Sequence, residues 1–294
     1  IGTEKYPEPD GYFAFVEKHG GGSNAYTAPD HTNYFFDIQP EYFPEGLDRF
    51  AHFFIDPLLD QAYVDREKNA VHSEYQMQIK DDGWRGFAVQ KVALNPEHPF
   101  SKFNIGTLDT LNGDIYDDLT DFFETHYSAN QMGAVVIHRE PLDTLDTWVS
   151  PLFGQIKNRN RARADFSMPL TTPGRLPATL KHQTLKSNRS VSYAFPIPAI
   201  DPHYATKPTG YLGSLIGHEG EGSLHQRLSN EGWITALGAG AQNIDRSNAV
   251  FEISIDLTES GFEHVDDITD LVFDSIDMLR ESKPQAWLYD EAAT

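Results

Sequence analysis

Asp65-Arg-Glu-Lys-Asn-Ala-Val-His-Ser-Glu-Tyr75 is the stretch on which the reading of the first half turns. It lies in a run read as one long helix from near Asp60 to about Asp82. Glu67 and Glu74 are seven residues apart. At about 100° per residue they share a helix face within roughly 20°, about 10 Å apart along the axis. A carboxylate facing inward from a buried helix is costly unless something positive meets it, and a metal ion is one such partner. His72 lies about 200° round the helix from Glu74 and is badly placed to share that ion.

Outward from this helix, helical and strand patterns alternate. Leu47, Phe50, Ala51, Phe54 and Leu58 recur at helical spacing, which predicts an amphipathic helix over about 44–58. Residues 23–27 and 32–38 read as two strands, with Ala28-Pro-Asp-His31 as the turn between them. A helix over 118–127, a strand over 133–138 and a helix over 142–153 follow. From about 158 to 182 the periodicity stops. This stretch carries Arg159, Arg161, Arg163, Pro169, Pro173, Gly174 and Pro177, a basic, proline-bearing connector in an acidic chain. Beyond it come a strand (190–195), helices (209–217 and 223–230), strands (234–237 and 249–257) and a helix (262–281). Hairpin-linked strands without a regular strand–helix–strand alternation imply α+β. The expectation is two similar domains, each a mainly antiparallel or mixed sheet with helices on one face. Their bounds are 1–157 and 184–294, with 158–183 as linker and the second domain cut short at Thr294.

Bulk properties narrow the function. Of 294 residues, 44 are acidic and 23 basic, a formal charge of −21 that argues against nucleic acid or an anionic membrane as partner. No apolar run approaches the roughly 20 residues of a membrane helix. With no cysteine, disulfides and thiolate metal sites are excluded, and any metal must use His, Asp or Glu. Gly217-His-Glu-Gly-Glu-Gly222 is glycine-rich but lacks the Lys and Ser/Thr of a phosphate-binding loop.

Eight motifs in order carry a family resemblance. They are Gly20-Gly-Gly-Ser-Asn-Ala-Tyr-Thr27, His31-Thr-Asn-Tyr-Phe-Phe-Asp37, Leu47-Asp-Arg-Phe-Ala51 and the 65–75 helix, followed by Asn95-Pro-Glu-His-Pro-Phe-Ser-Lys-Phe103, His126-Tyr-Ser-Ala-Asn-Gln-Met132, Tyr211 to Leu224, and Glu231-Gly-Trp233. Together, over essentially the whole chain, they resemble the pitrilysin/insulin-degrading-enzyme family of zinc metallopeptidases. That family builds its site on an inverted motif, H-x-x-E-H, plus a glutamate from a later helix. A zinc-bound water with pKa of about 7 attacks the peptide carbonyl. Neither H-x-x-E-H nor H-E-x-x-H occurs in these residues. The family motif is followed by a segment similar to Gly2-Thr-Glu-Lys-Tyr-Pro7, which implies a chain that starts just after it.

By position in its motif, Glu74 matches the third zinc ligand. Glu67 matches a glutamate that supports the catalytic site, with a plain surface charge as the equal reading. His31 and His98 lie in motifs that read as structural. Asn24, Ala25 and Tyr26 match a cleft-edge strand that would take an extended substrate as an added strand. Trp84 and Phe87 match aromatic walls of a substrate pocket. In the second domain, His218, Glu219 and Gly222, with Leu237, Gly238 and Gly240, match an exosite that would grip a peptide N-terminus.

The resemblance thus implies a zinc endopeptidase acting on peptides and small unfolded proteins. This chain would be inactive alone, partnered by the missing C-terminal half, and periplasmic. The alternative is a non-catalytic peptide-binding or assembly subunit of the same superfamily.

Overall fold

The structure, a computed structural model, describes residues 2–293. It is α+β, with small antiparallel sheets and many helices. Two compact units divide the chain. One combines the residues up to Met77 with Asn104–Asp165, and the other combines Gln78–Phe103 with the chain from Phe166 onward.

In the first unit, α1 (Gly11–Lys18) buries Tyr12 and Val16, four residues apart on one face. The chain then turns into β1 (Gly22–Thr27), which pairs antiparallel with β2 (Thr32–Asp37), from Gly22 opposite Asp37 to Thr27 opposite Thr32. The turn needs glycine at Gly21, where an added Cβ would lie 2.0 Å from the Asp37 carbonyl oxygen. A two-stranded hairpin is marginal without a surface to pack on. Here that surface is aromatic: the Phe36 ring meets Tyr12 on α1 and Phe43 and Phe50 on α2 (Phe43–Ile55). Leu47, Ala51 and Phe54 are buried on α2, as their spacing predicts. Leu58 falls outside this helix, because a proline at 57 disfavours helical backbone at Asp56.

Helix α3 (Gln61–Gln78) buries Val64 and no other residue. The single helix expected to reach about Asp82 is in fact two, with α3 ending at Gln78. Asp81 adopts extended backbone, and its carboxylate caps α4 (Asp82–Lys91) by accepting from the Trp84 amide. Helix α5 (Tyr116–His126) and α6 (Leu142–Phe153) complete the unit. The 133–138 run forms no ladder, and Val135 and Ile137 are 89% and 90% exposed. Its strand signal is sound, but a strand needs a partner to pair with. The arginines at 159 and 161 are not loose. Arg159 holds the Glu124 carboxylate with two N–H groups at 2.7 and 2.8 Å and donates to the Tyr127 carbonyl at the end of α5.

The second unit is built on a three-stranded antiparallel sheet in the order β3-β5-β4: β3 (Ser190–Pro198), β4 (Ile234–Asn243) and β5 (Asn248–Leu257). Phe251, Ile253, Ile255 and Leu257 alternate inward along β5. They bury against Ile216 of α7 (Pro208–Ile216), Leu224 and Leu228 of α8 (Leu224–Asn230), and Ile268 and Val272 of α10 (Val265–Glu281). A short α9 (Glu259–Glu263) precedes α10, and α11 (Ala286–Ala293) follows, with its Tyr289 ring edge-on to Tyr211. Among the described residues no helix is long and apolar enough to cross a membrane.

Candidate functional site

Both Glu67 and Glu74 lie on α3, as read, but their surroundings differ from the expectation. The helix is not buried, and both carboxylates are exposed to water. No desolvation penalty demands a cation. The polar composition of 61–78, which offers one buried apolar residue, accounts for this. Glu67 makes a loose pair with Arg66 at 3.9 Å. His72 points to another partner, its Nδ1 accepting from the Leu108 amide at 3.3 Å.

Zinc needs three or four His, Asp or Glu groups converging at about 2.0–2.2 Å. Among the described residues no group of three such side chains does so. The donor set of these residues by itself does not make a zinc site.

The β1 strand supplies a more defined surface. The Ala28 amide donates to the His31 carbonyl at 2.8 Å, which makes them a hydrogen-bonded pair. Alternation along the register then puts Asn24 and Tyr26 in bonded pairs and turns the N–H and C=O of Ser23, Ala25 and Thr27 to the outer edge. No strand covers that edge among the described residues. The Ala25 amide is capped by the Asn24 side-chain oxygen at 2.8 Å. The exposed Tyr26 ring meets the His31 imidazole edge-on, so His31 serves the hairpin turn.

In the second unit, Trp84 stands half-buried on α4, with its ring against Phe87 and Phe103. Trp84 lines a concavity of about 270 Å³. Phe87 turns elsewhere: the Lys91 ammonium sits 4.5 Å over its ring and 4.7 Å over that of Phe100. That ammonium donates to the Lys102 carbonyl, and burial lowers its pKa. His98 is only 1% exposed. Its Nδ1 accepts from the Phe100 amide at 3.2 Å, so the ring proton is on Nε2, which faces the buried Asp245 carboxyl at 3.3 Å. Asp245 also accepts from the Ser247 and Asn248 amides and from the Asn248 side chain. His98 is a fastener between the 95–103 loop and the β4–β5 turn.

The residues read as an exosite fall into two groups. His218 and Glu219 are exposed, and Gly222 has φ of +81° and donates to the Gln226 side chain, so the glycine run links α7 to α8. Leu237 points into the core, whereas Gly238 and Gly240 are open: an added Cβ at either would meet nothing within 4 Å. They line a shallow depression of about 260 Å³ on the sheet's outer face with Glu252 and Ser254 of β5. The carboxylate of that depression is Glu252, opposite Gly240 in register, which motif reading missed. Its signal was available in the alternation of Phe251, Glu252, Ile253, Ser254 and Ile255 along the strand.

A polar, exposed helix, an open strand edge and a sheet with an open glycine face are the surfaces this α+β chain offers. Family models cover it: residues 1–97 match Insulinase (Peptidase family M16), and residues 114–294 match Peptidase M16 inactive domain. The chain belongs to peptidase family M16. It is 40% identical over 298 residues to the insulin-degrading enzyme of Homo sapiens, covering 99% of this chain and 29% of that protein. Against the A-factor-processing enzyme of Saccharomyces cerevisiae it is 38% identical, with coverage of 99% and 29%. The crystal structure of pitrilysin superposes with a TM-score of 0.88 at 30% identity, covering 99% of this chain and 32% of that one. The chain thus spans about a third or less of the length of these relatives.

Proposed function

We propose that the protein to which this chain belongs is a zinc-dependent endopeptidase of peptides and small unfolded proteins, and that this chain supplies one metal ligand and part of the substrate cleft. Glu74 is the metal ligand and Glu67 the group that supports it. The imidazoles and the general base come from residues outside these 294. The edge of β1 takes the substrate backbone as an added strand through Ser23, Ala25 and Thr27, with the Asn24 carboxamide displaced from the Ala25 amide. Recognition through backbone groups makes the cleft tolerant of substrate sequence. Trp84 walls a side-chain pocket. The glycine face of β4, with Glu252, holds a peptide's ammonium end.

The observation that carries this reading is Glu74 itself: a solvent-facing carboxylate, unpaired among the described residues, in a motif that resembles the family's, within a chain 40% identical to insulin-degrading enzyme. Nothing in the packing of α3 calls for a glutamate there. The test is Glu74→Gln in the longer protein, with zinc content and peptide hydrolysis both measured. Losing a ligand should lower both, with hydrolysis reduced on the order of a thousandfold. Unchanged zinc content and turnover would remove the proposal. The isolated chain should bind no stoichiometric zinc at micromolar concentration and cleave nothing.

The second reading, a non-catalytic peptide-binding subunit, is favoured by one observation: residues 114–294 match a domain described as inactive. A longer protein without zinc that still binds peptides along β1 would establish it.

A further inference from the structure

Helix α4 carries an arginine, Arg85, whose Nε finds no hydrogen-bond partner among the described residues. Residues 182–186 run beside its first turn, because the Asp82 carboxylate accepts the Leu185 and Lys186 amides at 2.6 and 2.9 Å. The concavity of about 270 Å³ described above lies here, with Ile79, Trp84, Val89 and Phe103 in its apolar wall and Gln78, Arg85 and His182 as its polar groups. The Arg85 Nε is buried and has no hydrogen-bond partner among the described residues. Such an atom is rare in a folded protein, because a donor withdrawn from water without an acceptor destabilises the fold. Neither nearby acid is hydrogen-bonded to it: Asp81 caps the Trp84 amide, and Asp82, which feels the Arg85 charge, accepts from the 185–186 backbone. His182 lies close against α4, since an added Cβ on Gly86 would be 3.3 Å from its Nε2.

We propose that this pocket is a carboxylate subsite, which takes a carboxylate on an apolar or aromatic stem, with the anion on Arg85 and His182 and the stem between Trp84 and Phe103. A guanidinium matches the planar anion in geometry and charge, and aromatic walls suit the stem. The protein's charge of −21 repels anions at long range, so binding must come from these local donors. The inference rests on the peptide-binding reading in one respect. The carboxylate belongs to a peptide, either as an Asp or Glu side chain or as the C-terminus.

The test uses the 294-residue chain, with 3-phenylpropionate and its uncharged twin 3-phenylpropanamide as probes, read by the NMR signal of the Trp84 indole N–H. The acid should bind about tenfold or more tightly than the amide, as expected of a charge-assisted contact. Arg85→Met should bring the acid down to the amide's affinity and leave the amide unchanged, and Arg85→Lys should retain part of the preference. Equal binding of acid and amide to the wild-type chain, or no movement of Trp84 with either, overturns the proposal. So does equal weakening of both by Arg85→Met. Short peptides then identify the source, comparing free with amidated C-termini and internal Asp with Asn. If the small acid binds through Arg85 and no peptide binds at all, the subsite stands as a carboxylate site and the peptide-binding reading fails.

Discussion

The residues that matter to chemistry and those that matter to stability are different residues. Glu74 is exposed and makes no hydrogen bond or ion pair among the described residues, so Glu74→Gln in the isolated chain should shift stability by less than about 0.5 kcal/mol in urea unfolding. Asp245 is the reverse case. Removing its carboxyl leaves the buried His98 Nε2–H facing no acceptor and takes a turn-closing acceptor from the Ser247 and Asn248 amides, so Asp245→Ala should cost about 3 kcal/mol by the same measurement. Asp82 gives a pH signature. The Leu185 and Lys186 amides favour its ionised form and lower its pKa below the ordinary 3.8. A depressed carboxylate contributes its stabilisation above the unfolded value and loses it as pH falls through the folded one. The Leu185 and Lys186 amide resonances should therefore move as pH falls, with a midpoint below 3.8. At this scale motif reading reached Glu74 because its neighbours carry a pattern. It did not reach Glu252, whose outward position is written in strand alternation rather than in a motif, nor Arg85, whose pocket is completed by His182 from far along the chain.

Elements follow local spacing where packing is local. The buried stripe of α2 and the inward alternation of β5 are visible in their own residues. The break at Asp81, which separates α3 from α4, is set by a cap rather than by hydrophobic period. Helix α7 and strand β4 offer a paired test. Gly213 is buried against β4, and an added Cβ there would lie 2.7 Å from the Ala239 carbonyl oxygen and 3.4 Å from the Gly240 Cα. Backbone cannot yield as a flexible side chain can, so Gly213→Ala should destabilise by about 1–3 kcal/mol in thermal or urea unfolding. Gly238→Ala, facing open space on the other side of the same strand, should change stability by less than about 0.5 kcal/mol. Both replace glycine by alanine, one on a helix packed against β4 and one on the open side of that strand, so close backbone contact on one side is what sets them apart.

At the scale of the whole molecule, two compact units carry an excess of acid. Residues 78–103 group with the second unit, an arrangement set by the buried His98–Asp245 contact and by Asn95, whose amide donates to the Leu170 carbonyl. No composition shift marks that grouping, since the partners are about 75 to 150 residues away in sequence. The surplus charge opposes compaction, so the melting temperature should rise by several degrees as salt goes from about 0.01 to 0.5 M and screens it. Salt has a second effect on the Ala-Val-Val-Ile run at 134–137, which holds two nearly bare β-branched side chains and no ladder partner. Like charge holds copies of the chain apart, and screening removes that barrier. The run then acts as a sticker between molecules, so the salt that raises the melting temperature should also make light scattering grow with protein concentration. A charged residue in place of Val135 should suppress that growth while leaving the melting curve in place. In handling this protein, thermal stability and colloidal stability are separate quantities, and the buffer that improves one degrades the other.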